Sequence, residues 1–239
     1  MTPNSFSDPK KFLDSSLLKT HLERYKGRTD IILDFGFEST APMNQAISAY
    51  EERARFDQFF DAIKEIDLSG CWISFDTYRP SQYIYFEEQF KGRYKDLGFI
   101  FNDVSGVIDQ ELIELLIGKK NQENFYYVYS CTHIPSRDFV LNHMDFVKEG
   151  SSLRGCLKNL KVARGIFQEM GLEKKIIFDP CFGFSKSYEQ NWELLDNLEE
   201  LIRDFGVKEK WLVGISKKSF LRKRCGDGPQ SFIQSEELH

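Results

Sequence analysis

Six short apolar runs, each ending at a cluster of polar residues, constrain this chain more than any other feature. They are Ile31-Ile32-Leu33 before Asp34, Trp72-Ile73 before Asp76, Phe99-Ile100-Phe101 before Asn102, Tyr127-Val128-Tyr129 before Thr132, Ile176-Ile177-Phe178 before Asp179, and Trp211-Leu212-Val213 before Lys217-Lys218. Each has the length of a strand, and most precede a stretch with helical spacing. Apolar runs without alternation suit strands buried on both faces, as in parallel sheets. Polar groups at the C-terminal ends of parallel strands are where α/β barrels place their chemistry. The pattern thus predicts both an architecture and the end of the sheet that carries the site.

The intervening segments agree. Helices are expected near Pro9–Tyr25, Asn44–Ile66, Ser81–Tyr94, Gln110–Ile117, over Arg137–Met170 with a break around Gly150-Ser151-Ser152, and near Tyr188–Phe205, with a last one starting at Lys218. Strands are expected near Asp30–Phe35, Cys71–Phe75, Gly98–Phe101, Phe125–Ser130, Lys175–Phe178 and Lys210–Gly214. This alternation predicts a parallel sheet with right-handed crossovers. A closed barrel of this kind has eight strands, and segments for the first and eighth are not found in the sequence.

With 239 residues the length fits one barrel domain, read as a single domain over residues 1–239. A net charge of −5 provides no basic stripe for nucleic acid. No apolar segment approaches the roughly 18 residues of a membrane span, and no signal-peptide pattern follows Met1, so a cytoplasmic location is expected. Five widely spaced cysteines without a C-x-x-C indicate neither a zinc site nor a disulfide framework.

The strand-end motifs share one inventory. Asp34 to Pro42 and Asp76 to Pro80 offer carboxylates and hydroxyls, although each also reads as a capped strand-to-helix connection. Asn102-Asp103-Val104-Ser105-Gly106 adds an amide that both donates and accepts. In Asp179-Pro180-Cys181-Phe182-Gly183-Phe184-Ser185-Lys186-Ser187-Tyr188-Glu189-Gln190-Asn191, Pro180 and Gly183 set a tight loop and Ser187 with Gln190 resembles a capping box. Asp179 suits a carboxylate that pairs with a flat donor–donor edge. Ser216-Lys217-Lys218-Ser219 reads either as an anion site at a helix start or as a solvated lysine pair. Together they fit a ring with N–H donors and an anion. Neither a nucleophilic triad nor close metal spacing among His21, His133, His143 and His239 is apparent. His133 is read as structural or merely polar, and Cys181 as an inert small residue.

In chain order, Thr2 to Asp8, Asp34 to Pro42, Ile73 to Arg79, Phe101 to Gly106, Asp179 to Asn191, and Val213 to Phe220 all resemble blocks of the dihydropteroate synthases. The resemblance spans nearly the whole chain. It implies a (β/α)8 TIM-type barrel that condenses 6-hydroxymethyl-7,8-dihydropterin diphosphate with 4-aminobenzoate, with Mg2+, to 7,8-dihydropteroate and diphosphate. It assigns Asp76, Asn102, Asp179 and Lys218 to the pterin, with Asp34 in support and with Asp76 and Lys218 as the catalytic pair. Thr40, Pro42, Phe184, Lys218 and Ser219 would line the aminobenzoate side. A homodimer is the assembly the family implies.

Four departures stand out. The family's metal-binding Asn would precede Met1, and its C-terminal Arg-x-His has no counterpart. Ala41 stands at an arginine position, and Gly36-Phe37 replaces Gly-Gly. In addition, Cys181 stands where the family has glycine. An alternative expectation is therefore a degenerate homologue that binds pterin or a partner without turnover. Methyl transfer from a reduced folate on a related barrel is a further one, disfavoured by the Thr2–Asp8 and Ser216–Ser219 blocks.

Overall fold

The computed structural model describes residues 15–25, 28, 30–41, 44–216 and 218–221. It divides the chain into two compact units: Met1–Asp103 with Ile108–Tyr127, and Val104–Val107 with Val128–His239. Helices and strands alternate through both. Among the described residues, no helix is long and apolar enough to cross a membrane.

The first unit contains α1 (Ser15–Glu23), β1 (Ile32–Gly36), α2 (Ala49–Ala62), β2 (Trp72–Asp76), α3 (Pro80–Arg93), β3 (Gly98–Asp103), α4 (Gln110–Lys119) and the start of β4 (Phe125–Ser130). Its strand order is β1-β2-β3-β4. The β1–β2 and β2–β3 pairings are parallel, with Gly36 opposite Asp76 and Asp76 opposite Asn102. Because parallel strands share polarity, this register brings the polar ends of three distant segments to one edge. Rings from β1, its loop, α2, β2 and α3 form the core. Phe56 stacks on Phe86 at 4.4 Å, Phe37 meets Phe56 edge-on at 5.3 Å, and Phe75 meets Phe90 at 5.2 Å. Such rings each bury a large apolar area and gain a further increment from their pairing geometry.

Helix α2 begins at Ala49 rather than Asn44, because the Ser48 hydroxyl accepts from the Glu51 amide at 3.1 Å and fixes the start. Pro80 occupies the first turn of α3, where its missing N–H costs nothing. Asp109 caps α4 through the Leu112 amide at 3.0 Å.

The second unit holds the end of β4, then α5 (Ser152–Glu169), β5 (Ile176–Asp179), α6 (Tyr188–Asp196), α7 (Leu198–Phe205), β6 (Lys210–Trp211) and a helical turn at residues 219–221. Its strand order is β4-β5-β6, with β5 and β6 parallel. The helix expected over Arg137–Met170 is helical only from Ser152, which follows the Ser151 cap. Its first part is two short 3-10 turns, Arg137–Phe139 and His143–Phe146. The single helix expected over Tyr188–Phe205 is two, because Asn197 turns away from helical backbone and its side-chain amide donates to the Glu193 carbonyl at 2.7 Å. The last strand is shorter than expected, although the Leu212 amide still donates to the Phe178 carbonyl at 3.0 Å. The start of the first expected helix, the Thr2–Asp8 block, Pro42, Lys217, Cys225 and His239 lie outside the described residues.

Gly106 holds the turn after β3 in place. Its φ is +65°, and a Cβ there would lie 1.9 Å from the Ser130 carbonyl oxygen at the tip of β4. Only glycine permits both the left-handed backbone and this approach.

Candidate functional site

In the first unit the strand ends carry Asp34, Asp76 and Asn102. Asp76 and Asn102 are register partners and half-buried, whereas Asp34 is exposed. The Asn102 amide donates to Asp34 Oδ1 at 3.3 Å, and the Thr77 amide donates to the Asn102 carbonyl at 3.3 Å. Three of the residues singled out in the sequence therefore do form one polar edge. Thr40 is half-buried in the loop after β1, where neighbouring Ser39 accepts from the Asn44 amide at 2.7 Å.

Beneath that edge lies a charged network that the sequence motifs did not reveal. Arg79 Nη1 donates to Glu38 at 2.5 Å and to Glu52 at 2.6 Å. Its Nη2 donates to the Ile47 carbonyl at 2.8 Å and to the Tyr78 hydroxyl at 2.5 Å. The Thr77 hydroxyl donates to the other oxygen of Glu52 at 2.7 Å, and the Ile47 amide to the other oxygen of Glu38 at 3.0 Å. Glu38 and Glu52 are both buried. Burial pushes the Glu52 carboxyl above its usual range, against the pull of Thr77 and Arg79. One guanidinium thus fastens the loop after β1 to α2 and to the loop after β2. Helical spacing gave a signal: Glu52 lies on the same face of α2 as Phe56, Phe59 and Phe60, where an unpaired carboxylate would be costly.

In the second unit Asp179 is buried at the tip of β5. Its Oδ1 accepts from the Cys181 amide at 2.8 Å, and its main-chain oxygen accepts from the Cys131 amide at 2.8 Å. Among the described residues Oδ2 has no partner. Burial raises the Asp179 carboxyl to about 6, although the Cys181 amide, Lys218 and Lys186 all pull it down. The loop that follows is tightly specified. Cys181 and Ser185 adopt left-handed backbone, with φ of +56° and +50°. That conformation is one that glycine, the residue the resemblance implies at the position of Cys181, adopts without strain. The Cys181 thiol is pushed up to about 12 by burial and by Asp179, so it is inert near neutral pH. Asn191 accepts from the Gly183 amide at 2.7 Å and donates to the Ser187 carbonyl at 2.7 Å. The capping box of Ser187 and Gln190 is present, as the sequence predicts.

The same loop carries Phe184, whose ring has two contacts. His143 stacks on its ring at 4.3 Å, and Lys218 Nζ lies 5.1 Å from its centroid on a cation–π contact. His143 is buried and was not singled out from the sequence. Its Nδ1 accepts from the Ser185 amide at 3.3 Å, which puts the proton of the neutral ring on Nε2. Burial, Lys218 and Lys186 push it down to about 4. His133 pairs with the Asn159 amide at 3.0 Å and is pushed down to about 4, chiefly by burial, consistent with a structural role. Ser219 is exposed beside the half-buried Lys218. Lys186, which is almost fully buried, gives all three ammonium hydrogens to backbone carbonyls: Cys131 at 2.8 Å, Cys181 at 3.0 Å and Phe184 at 3.2 Å.

No three His, Cys, Asp or Glu side chains among the described residues come together as metal ligands. What the described residues do provide is a carboxylate–amide edge in the first unit. The second unit supplies a dry carboxylate with an open acceptor oxygen, two lysines and an aromatic wall.

Residues 1–231 match the family described as pterin binding enzyme. The chain is 30% identical over 222 residues to the dihydropteroate synthase of Clostridium beijerinckii, covering 92% of this chain and 72% of that one. It is also 30% identical over 225 residues to the dihydropteroate synthase of Bacillus subtilis, covering 92% and 69%. A crystal structure of the Yersinia pestis dihydropteroate synthase with a sulfonamide drug superposes with a TM-score of 0.74 at 22% identity, covering 99% of this chain and 79% of that chain. That likeness shows the expected α/β barrel-type fold. The chain belongs to the pterin-binding enzyme family, among the dihydropteroate synthases.

Proposed function

We propose that this protein condenses 6-hydroxymethyl-7,8-dihydropterin diphosphate with 4-aminobenzoate, releasing 7,8-dihydropteroate and diphosphate. The observation that carries the reading is Asp179: a buried strand-end carboxylate whose Oδ1 is fixed by a backbone amide and whose Oδ2 has no partner among the described residues. Such a group accepts from the amino-pyrimidine edge of a pterin. Asp76 and Asn102 in the first unit, and Lys218 in the second, complete the proposed pterin set, with Asp34 supporting Asn102. Thr40, Pro42, Phe184, Lys218 and Ser219 are assigned to the aminobenzoate. For Phe184 and Lys218 the support is their ring–ammonium contact, an apolar face beside a cation that suits an aromatic carboxylate.

The chemistry needs little from the protein beyond charge and placement. The bond from the pterin methylene carbon to the diphosphate oxygen breaks, and its electron pair leaves with the diphosphate. Asp76, as a fixed negative group, favours the positive charge that develops on the pterin methylene. The amine nitrogen of 4-aminobenzoate then gives its lone pair to that carbon and releases one proton to water. Mg2+ enters this proposal with the diphosphate, since the ion prefers phosphate oxygens and water to an all-protein cage. A cytoplasmic location and a homodimeric assembly are the finer parts of the proposal and rest on the resemblance.

The test is a titration with the pterin diphosphate and Mg2+, followed by addition of 4-aminobenzoate while diphosphate release is monitored. Binding followed by stoichiometric release is the expected result. Binding without release would overturn turnover, and an absence of pterin binding would overturn the whole reading.

A further inference from the structure

Lys186 carries a cost that its hydrogen bonds alone do not justify. Its three hydrogens go to three backbone carbonyls, which a neutral amine or amide with two hydrogens could not do, and burying the ammonium carries a desolvation penalty of several kcal/mol. Its partners explain the choice. The ammonium donates to the Cys131 carbonyl, and the Cys131 amide donates to the Asp179 carbonyl. The Cys181 amide donates to the Asp179 carboxylate, and the Cys181 carbonyl accepts from the same ammonium. These four links form a closed circuit, Lys186–Cys131–Asp179–Cys181–Lys186, that runs through the tip of β4 and the loop after β5. A third arm, to the Phe184 carbonyl, fixes the residue beside Lys218.

We propose that Lys186 is a positioning residue: its ammonium closes the circuit that aims the Asp179 carboxylate and supplies the fixed positive charge beside it. Lys186 does not reach substrate itself, because all three of its hydrogens are committed to the backbone. It acts through Asp179, so its consequence for pterin binding rests on the assignment of Asp179 made above. The charged and titratable groups around Asp179 are Lys186 and Cys181 on its own loop, Lys218 after β6, Cys131 on the tip of β4 and Cys156 on α5. Lys186 and Lys218 are the cations among them. Removing one leaves burial less opposed and shifts Asp179 further toward its neutral form.

The experiment is a carboxyl-carbon NMR titration of the ligand-free protein, with Asp179 assigned by comparison with D179N. In K186M, which keeps the aliphatic stem and removes the charge, the Asp179 midpoint should rise by about one pH unit or more. An unchanged midpoint in K186M would overturn the proposal. The wild-type protein provides a second measurement that needs no variant. The Lys186 Nζ nitrogen resonance should step at the same pH as the Asp179 carboxyl, and a resonance flat through that pH would overturn the coupling. In pterin binding, K186M should lose affinity about tenfold or more at neutral pH, and the acid limb of its profile should move upward. A merely structural lysine would lower affinity without moving that limb. Because the NMR measurements use no ligand, the coupling can be established even if the wild-type protein binds no pterin diphosphate, an outcome that would sink the functional reading alone.

Discussion

At the scale of a residue, Asp179 sets stability against function. Its carboxyl is raised from an ordinary 3.8 to about 6, mainly by burial. The folded protein therefore holds a proton that the unfolded chain releases between about pH 4 and pH 6. Stability from this group is fully present below pH 4, falls as pH rises through that window, and stays low above it. A shift of this size corresponds to about 3 kcal/mol, since each pKa unit is about 1.36 kcal/mol. Asn at this position keeps an acceptor for the Cys181 amide but cannot ionise. D179N should therefore melt higher than the wild type at pH 7 to 8, and with little difference near pH 4. On the proposed assignment, in which the pterin donates to the anion's second oxygen, pterin binding should drop about a hundredfold or more in D179N. Thermal melts from pH 4 to pH 8, paired with a binding isotherm at pH 7.5, check both halves. A D179N melting temperature below the wild type at pH 8 would remove the argument.

At the scale of elements, the loop after β1, helix α2 and the loop after β2 are fastened by Arg79 between two buried carboxylates. Removing one partner of a buried ion pair typically costs about 3–5 kcal/mol, because the remaining charge stays buried and uncompensated. R79M should lose stability on that order at pH 7 in urea denaturation. The loss should shrink as the pH is lowered, because burial already raises the Glu52 carboxyl and its protonation removes the uncompensated charge. A loss independent of pH would assign the effect to packing instead. Of this network the sequence signals only the Glu52 carboxylate on the apolar face of α2, and not its partners. Glu38, Glu52 and Arg79 are far apart in the chain, and charged side chains belong by default at the surface. The strands were legible for the opposite reason: apolar runs such as Phe125–Ser130 have few other destinations. The break at Asn197 was hidden because the apolar rhythm continues across it, from Leu194 to Leu201 and Phe205, all buried. Among candidate site residues, Asp179 and the capping box behind it were legible as loop chemistry. The burial of His143 and Lys186 depends on contacts from β4 and its following turns, which no local spacing encodes.

At the scale of the whole molecule, the polar strand ends are affordable only because apolar packing elsewhere stabilises the fold. The site and the core should accordingly separate under mutation. Any ligand that binds only the folded state raises stability by RT ln(1 + [L]/Kd), about 2.7 kcal/mol at a hundred times Kd. Phe56 is fully buried among Phe37, Phe60 and Phe86. Cutting it to alanine should remove about 3–5 kcal/mol, or roughly 10 °C of melting temperature for a chain of this size. F56A should nevertheless show nearly the full increment on adding saturating pterin diphosphate, because the ring touches core rather than strand-end groups. D76N should do the reverse. Its half-buried position at the end of β2 predicts a basal melting temperature within a few degrees of wild type, and most of the pterin increment should vanish. The same melts with and without ligand measure both quantities. An undiminished increment in D76N would detach the carboxylate–amide edge from pterin binding and leave the first unit a scaffold.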